Sequence, residues 1–159
     1  MAEHPYAEQL RTMKQFFDRS TSALTEADSV YAPTKEQFTV AATVAHVAQT
    51  VDWFLEGTWG KGFNMDFAAM DGECRPAKSL TEARKRLDGA FDAAIRRVEG
   101  MKAADFERPM PPNEIFGPLP AKIVFGALND HTAHHRGALT VYARLLGRMP
   151  PMPYGEPPG

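Results

Sequence analysis

Four segments of the 159-residue chain carry apolar residues at the spacing typical of an α-helix. The predicted helices cover about residues 5–24, 37–56, 79–100 and 120–146. No segment alternates convincingly between apolar and polar residues with the period of two that is typical of a strand. The pattern therefore predicts an all-α fold, in which four amphipathic helices pack as a four-helix bundle.

Local signals set the expected ends of these helices. Ser79 followed by Glu82 matches the capping box that begins many helices. Gly57 is expected to end the second helix, and Gly147 is expected to end the fourth. In the second helix, a valine stripe forms one face, whereas His46 lies on another face among small and polar residues. That composition is typical of a cavity wall rather than a sealed core.

Two long connections separate the later helices. Residues 58–78 contain several aromatic side chains and are expected to pack on the bundle and to cover one of its ends. Residues 102–119 contain four prolines, which favour an extended chain. We interpret residues 1–159 as a single bundle domain with a proline-rich tail from about 148 to 159.

Composition narrows the class of protein. Apolar residues make up 43% of the chain and charged residues 24%, as in ordinary globular proteins. The net charge of −2 gives no basic excess for binding nucleic acid. No apolar run is long enough to span a bilayer, and the N-terminus does not resemble a secretory signal, so we expect a cytoplasmic protein without membrane association. Cys74 is the single cysteine, which excludes an internal disulfide.

Three of the five histidines suggest a metal site. His131 and His135 lie four residues apart, so they share one face of the fourth helix and continue its apolar stripe. His46, on the second helix, could supply a third ligand. Three nitrogen ligands leave a coordination position open, as in catalytic sites, and imidazole suits zinc, nickel, copper and iron(II). The alternative is that these histidines are satisfied by neighbours in the core or at the surface.

His134 is an alternative to His135 as a metal ligand, because it also shares a face of the helix with His131. Periodicity ranks His135 above His134, and Asp130 lies one turn before His134, which favours an exposed helix pair for that residue. Side chains that orient the ligand rings are expected near a metal. The candidates for that role are Asp130, Asn129 and Gln49, each of which could equally be a solvated polar residue.

Three further residues, Trp53, Gln49 and Arg136, are candidates for binding a substrate. Trp53 could wall the metal cavity, and Gln49 lies on the same face of the second helix as His46. Arg136 could meet an anionic substrate group, although a salt bridge on the outer face explains it equally well. Cys74 lies in a predicted loop and is more simply a bystander than a reactive thiol, and His4 is expected at the surface.

The stretch NDHTAHHRGALTVYARLLG at residues 129–147, the trailing PPMPYG and the sequence HVAQ around His46 resemble the DinB/YfiT-like family. This resemblance covers nearly the whole chain and implies an up-down-down-up four-helix bundle that is often a homodimer. It implies a divalent metal ion held by His46, His131 and His135, and so decides against His134. Family members commonly read H-R-G-Q, and here Ala138 replaces that glutamine.

The resemblance also shapes the functional expectation. Relatives in the wider superfamily include transferases and isomerases that use low-molecular-weight thiols. We therefore expect a metal-dependent enzyme, a transferase or hydrolase, that acts on a small molecule with zinc, nickel or iron. Thiol-dependent S-transfer or a related reaction is the leading hypothesis, because a metal lowers the pKa of a bound thiol or water. The alternative is a non-catalytic metal-binding or stress-response protein. No H-E-x-x-H motif is present, so metalloprotease chemistry is not supported.

Overall fold

The computed structural model describes residues 4–155, and within that range the fold is all-α. Four long helices form the body of the molecule, and two short helices lie in the connections between them. The long helices are α1 (Pro5–Thr21), α2 (Val40–Trp59), α4 (Leu80–Glu99) and α6 (Ile123–Leu145), and the short ones are α3 (Phe67–Cys74) and α5 (Ala103–Glu107). A single 3₁₀ turn, Glu26–Asp28, follows α1.

The four long helices pack in a closed ring in the order α1, α4, α2, α6. Neighbours α1 and α4 run antiparallel, as do α2 and α6, whereas α2 runs parallel to α4 and α1 runs parallel to α6. The direction of α1 against α4 follows from the contacts Arg11–Glu99 and Thr21–Arg84, and that of α2 against α6 from Thr50–His131 and His46–His135. The direction of α2 against α4 follows from the ion pair Glu56–Arg97 and the electrostatic interaction of Asp52 with Arg86, and that of α1 against α6 from the contacts Tyr6–Phe125 and Phe16–Arg136. The bundle is therefore up-down-down-up, as the family resemblance implied.

The predicted helix starts agree closely with the structure. The Ser79 hydroxyl accepts a hydrogen bond from the backbone N–H of Glu82 at 3.2 Å, so the serine caps α4 as the sequence predicted. The Thr39 hydroxyl accepts from Ala42 in the same way and begins α2. The fourth predicted helix begins at Ile123, three residues later than expected, because residues 120–122 form a turn first.

The predicted end of the second helix at Gly57 is wrong. The helix continues through Gly57 to Trp59, and Gly60 follows it. Gly57 is buried, and a Cβ at this position would lie 2.2 Å from the Phe63 ring. The glycine therefore allows the ring of the following loop to pack against the helix backbone, which is a requirement of packing rather than of chain reversal.

Both connections contain a short helix that the hydrophobic pattern did not reveal. In the first, the Asp66 carboxylate accepts from the Ala69 N–H at 3.0 Å and begins α3, which ends at Cys74. Cys74 is thus buried at the end of a helix rather than placed in a loop. In the second, α5 buries Phe106, which stacks among aromatic rings at the start of α1 and α6.

The core lies along the axis of the bundle and has contributions from all four long helices. Its largest fully buried side chains are Phe17, Phe91, Phe125, Leu10, Leu87, Leu128 and Leu139. After α6 the chain is fastened back onto the bundle by Arg148, which forms an ion pair with the buried carboxylate of Asp28. No helix within residues 4–155 is long and apolar enough to cross a bilayer.

Candidate metal centre

The antiparallel contact between α2 and α6 brings three imidazole rings together. His46 lies near the middle of α2, and His131 and His135 lie on consecutive turns of α6. The ring centroid of His46 lies 5.2 Å from that of His131 and 4.7 Å from that of His135. One nitrogen from each ring can be chosen so that all three lie within 4.8 Å of one another. The two helices therefore place three potential ligands around one point.

The spacing between the two histidines of α6 matches shared coordination. The Nε2 atoms of His131 and His135 lie 3.2 Å apart. Two imidazole nitrogens that bind one tetrahedral zinc ion at about 2.0–2.1 Å lie about 3.3 Å from each other. The pair is therefore already at the distance that a common cation requires.

A hydroxyl group orients the His131 ring. The Nδ1 atom of His131 lies 3.3 Å from Oγ1 of Thr50, and that hydroxyl donates its own proton to the Val47 carbonyl at 2.9 Å. The hydroxyl oxygen is thus an acceptor for a proton on Nδ1, which leaves the lone pair of Nε2 directed at His135. Ligand histidines in metal sites characteristically donate their second N–H to such a partner.

The side chains that the sequence suggested for this orienting role lie elsewhere. Gln49 donates to the carbonyl of Met70 and to the carboxylate of Glu73, and so holds α3 against α2. Asn129 and Asp130 are exposed on α6. The sequence signal for Thr50 is its position four residues after His46, which places both on one face of α2. Sequence reasoning noted that face without assigning Thr50 a role.

Burial keeps the three rings neutral. It is the main cause that lowers the pKa of His131 to about 4 and that of His135 to about 3, and the neighbouring imidazoles lower both further. Burial also lowers the pKa of His46, although the negative charge of Asp71 opposes this. Each neutral imidazole retains a lone pair on one nitrogen, so at neutral pH a metal ion does not have to displace a proton from an imidazolium.

The donor set fits a divalent cation. The Nδ1 atom of His46 is buried and has no hydrogen-bond partner within residues 4–155. Buried polar atoms without partners are uncommon and require an explanation, which a cation bound at this atom would supply. Three neutral imidazoles without a carboxylate or thiolate suit zinc, nickel, copper or iron(II) rather than magnesium or calcium.

An open groove of about 810 Å³ leads to this cluster from the surface. Its lining includes the ligand candidate His131 and a set of large apolar side chains, namely Trp53, Phe54, Phe67, Ile115 and Phe116. Trp53 thus walls a space that reaches the histidines. His134 also lines the groove, and its ring lies 4.9 Å from that of His135, but it is not part of the cluster of three.

The other residues singled out from the sequence lie away from the three rings or make other contacts. The Arg136 guanidinium lies 5.7 Å from the ring of Phe16 and 5.9 Å from that of Tyr154, beside α1. The Cys74 thiol donates to the side-chain oxygen of Gln49, and burial raises its pKa. His4 is half-buried, and its ring packs against Phe106 at the start of α1.

A helical bundle with three histidines converging between two helices defines a class of candidate metal-binding proteins. The family model described as the DinB superfamily matches residues 9–139 of this chain. The match includes all three histidines, and it covers most of the sequence. The chain belongs to the DinB superfamily.

Solved structures support the same fold. A DinB-like protein from Bacillus subtilis (YjoA) is 14% identical, with a TM-score of 0.68, and the match covers 96% of this chain and 99% of that one. A DinB-like protein from Bacillus cereus is 18% identical, with a TM-score of 0.67, and the match covers 92% of this chain and 93% of that one. At these identities the likeness concerns the fold. No curated protein matches the chain.

Proposed function

We propose that this protein is a metal-dependent enzyme that acts on a small molecule, through thiol-dependent S-transfer or a related reaction. The single observation that carries the proposal is the convergence of His46, His131 and His135 from two helices. Three protein ligands fall one short of the four that close a structural zinc site. Membership of the DinB superfamily is consistent with this role.

The chain's own residues would prepare the site in three ways. Thr50 orients the His131 ring, and the low pKa values of His131 and His135 keep both rings neutral at neutral pH, so each ring has a lone pair available. Phe54 packs edge-on against His131 with ring centroids 5.9 Å apart, and so supports one side of that ring. A bound divalent cation would lower the pKa of a thiol or water molecule that it coordinates, which supplies a nucleophile near neutral pH.

Metal binding is tested first. Calorimetric titration of untagged, metal-free protein with Zn²⁺, Ni²⁺ and Fe²⁺ should give one site per chain for at least one ion. His131→Ala should abolish that site. His134→Ala is the matched control, since it removes a histidine of the same helix that lies outside the cluster, and it should bind normally. Stoichiometric binding that survives His131→Ala would contradict the proposal.

Turnover needs a separate test, because a non-catalytic metal-binding or stress-response protein would give the same titration. The metal-loaded protein is incubated with a panel of low-molecular-weight thiols and electrophilic acceptors, and products are followed by mass spectrometry. We expect a thioether product that depends on both the metal and His131. Thiol binding without any product would support the non-catalytic alternative instead.

A further inference from the structure

We propose that the groove beside the histidine cluster binds the aromatic body of a small molecule, and that in the metal-free protein the groove discriminates against anionic molecules. This inference rests on the proposed function, because it names the class of substrate that would reach the same site. The groove is continuous with the cluster, since His131 is one of its lining residues. Its volume of about 810 Å³ lies within the range of small-molecule sites.

A chain of aromatic rings runs from the surface to the ligand candidate. The Phe67 ring lies 6.1 Å from the Trp53 ring, and Trp53 lies 5.0 Å from Phe54 in an edge-to-face arrangement. Phe54 then lies 5.9 Å from His131, again edge-to-face. Phe116 joins the chain from the opposite side, 6.3 Å from Phe54. These separations are those of favourable aromatic pairs, and a flat ring entering the groove would extend the same pattern.

The outer part of the groove exposes apolar surface that packing within residues 4–155 does not cover. Phe67 is 51% exposed and Ile115 is 38% exposed, and both line the groove. Isolated exposed apolar residues are ordinary, but these two flank one concave space beside the histidine cluster. The indole N–H of Trp53 donates to the Asn64 carbonyl at 2.7 Å, so the indole is held in place and its N–H is not available to a ligand.

In the metal-free protein, the charges of the groove disfavour an anion. Asp130 is its one carboxylate among the described lining residues, and no lysine or arginine is among them. Arg136 is the arginine nearest to Asp130 along the sequence, but its guanidinium lies against the rings of Phe16 and Tyr154 instead. In the metal-free protein, a carboxylate on the ligand would therefore meet Asp130 without a compensating cation, whereas an uncharged aromatic body would meet apolar walls.

The first test uses the fluorescent probe N-phenyl-1-naphthylamine, which is uncharged and aromatic, with metal-free protein in excess chelator. We expect saturable binding of one probe per chain. Phe67→Ala should weaken it about tenfold by removing one aromatic face. The matched control is Tyr154→Ala, which removes another exposed aromatic side chain outside the groove and should leave the affinity unchanged. Absent binding, or equal effects of the two substitutions, would overturn the proposal.

The second test addresses charge by competition against the same probe. The uncharged 2-naphthalenemethanol should displace the probe at least about fivefold better than the anionic 2-naphthoate, which is the scale of repulsion between close like charges in water. Asp130→Asn should reduce that ratio, while Asp92→Asn, a change at an exposed aspartate on α4, should not. Equal displacement by the two compounds would overturn the charge discrimination.

The proposed function and the inferred substrate class can be refuted independently of each other. Both probe experiments are read without metal, so a failed metal titration would remove the proposed enzyme and leave the groove measurements standing. Conversely, a protein that binds one zinc ion through His131 but gives no Phe67-dependent probe binding would retain the metal centre and lose the inferred substrate class.

Discussion

The hydroxyl of Thr50 on α2 and the Nδ1 atom of His131 on α6 lie 3.3 Å apart across the helix interface. This contact connects the packing of the bundle to the chemistry of the site, because it fixes the ring whose other nitrogen faces His135. The register between α2 and α6 therefore determines both the position and the orientation of a candidate ligand.

Thr50→Val should weaken metal binding about 10-fold to 100-fold, since partners of this kind typically contribute that much to metal affinity. Valine keeps the shape of the side chain and removes the acceptor for the proton on Nδ1. Competition with a chromophoric chelator measures the affinity. Thr50→Ser, which retains the hydroxyl, is the control and should stay near the wild type. If valine binds metal as tightly as threonine, the orienting role is wrong.

Gln49→Leu should lower the stability of the protein without changing its affinity for metal. The amide of Gln49 bonds to Met70 and Glu73 and accepts from the Cys74 thiol, so its loss frees α3 from α2. We expect a loss of about 1–2 kcal/mol in the free energy of unfolding, measured in urea. Metal affinity should remain near that of the wild type, because Gln49 does not contact the rings. A large loss of affinity would restore Gln49 as an orienting residue.

Asp28 should stabilise the folded state by an amount that decreases at acid pH. Hydrogen bonding from Arg148 is the main cause that lowers the pKa of Asp28 to about 2, against about 3.8 in an unfolded chain. Because the folded pKa is the lower one, the contribution is complete above about pH 4 and is lost as the pH falls toward 2. Asp28→Asn should cost about 1 kcal/mol at pH 7, after allowance for the partly exposed arginine, and should flatten the pH dependence in that window. Urea unfolding at several pH values tests this, and an unchanged slope would contradict it.

The substitutions Gly57→Ala and Gly89→Ala should have opposite effects on the stability of the protein. Both lie within long helices, where alanine is intrinsically preferred by about 1 kcal/mol. A Cβ at Gly57 would meet the Phe63 ring at 2.2 Å, so that substitution should destabilise by about 1–3 kcal/mol, the usual cost of overpacking. A Cβ at Gly89 has open space within 4 Å, and that substitution should raise the melting temperature. Similar melting shifts for both variants would show that Phe63 yields without cost.

Hydrophobic periodicity predicted the four long helices well, because each buries a stripe of side chains against the bundle. It misjudged Gly57 because the reason for that glycine lies in a contact with Phe63, six residues further along the chain. The helix α3 was missed because the Asp66 cap and tertiary bonds from Gln49 hold it, rather than an apolar stripe. Local pattern does not register contacts of either kind.

The candidate metal site was also only partly predictable from the sequence. The spacing of His131 and His135 is a property of one helix and could be read directly, whereas their meeting with His46 depends on the register between α2 and α6. The sequence pattern does not set that register: it offered His46 only as a possible third ligand, and the family resemblance then implied the complete set. The Thr50 contact depends on the same interface, which explains why it was not predicted. The sequence did suggest Trp53 as a wall of the metal cavity, but Phe67, Ile115 and Phe116 reach the groove from segments whose packing the pattern does not set.

The most direct test of the central claim is anomalous scattering from a crystal of untagged protein grown with one equivalent of zinc. Data collected on either side of the zinc absorption edge should show one peak within about 2.1 Å of a nitrogen from each of His46, His131 and His135. A peak bound by His134 in place of one of these rings, or no peak between α2 and α6, would contradict the account.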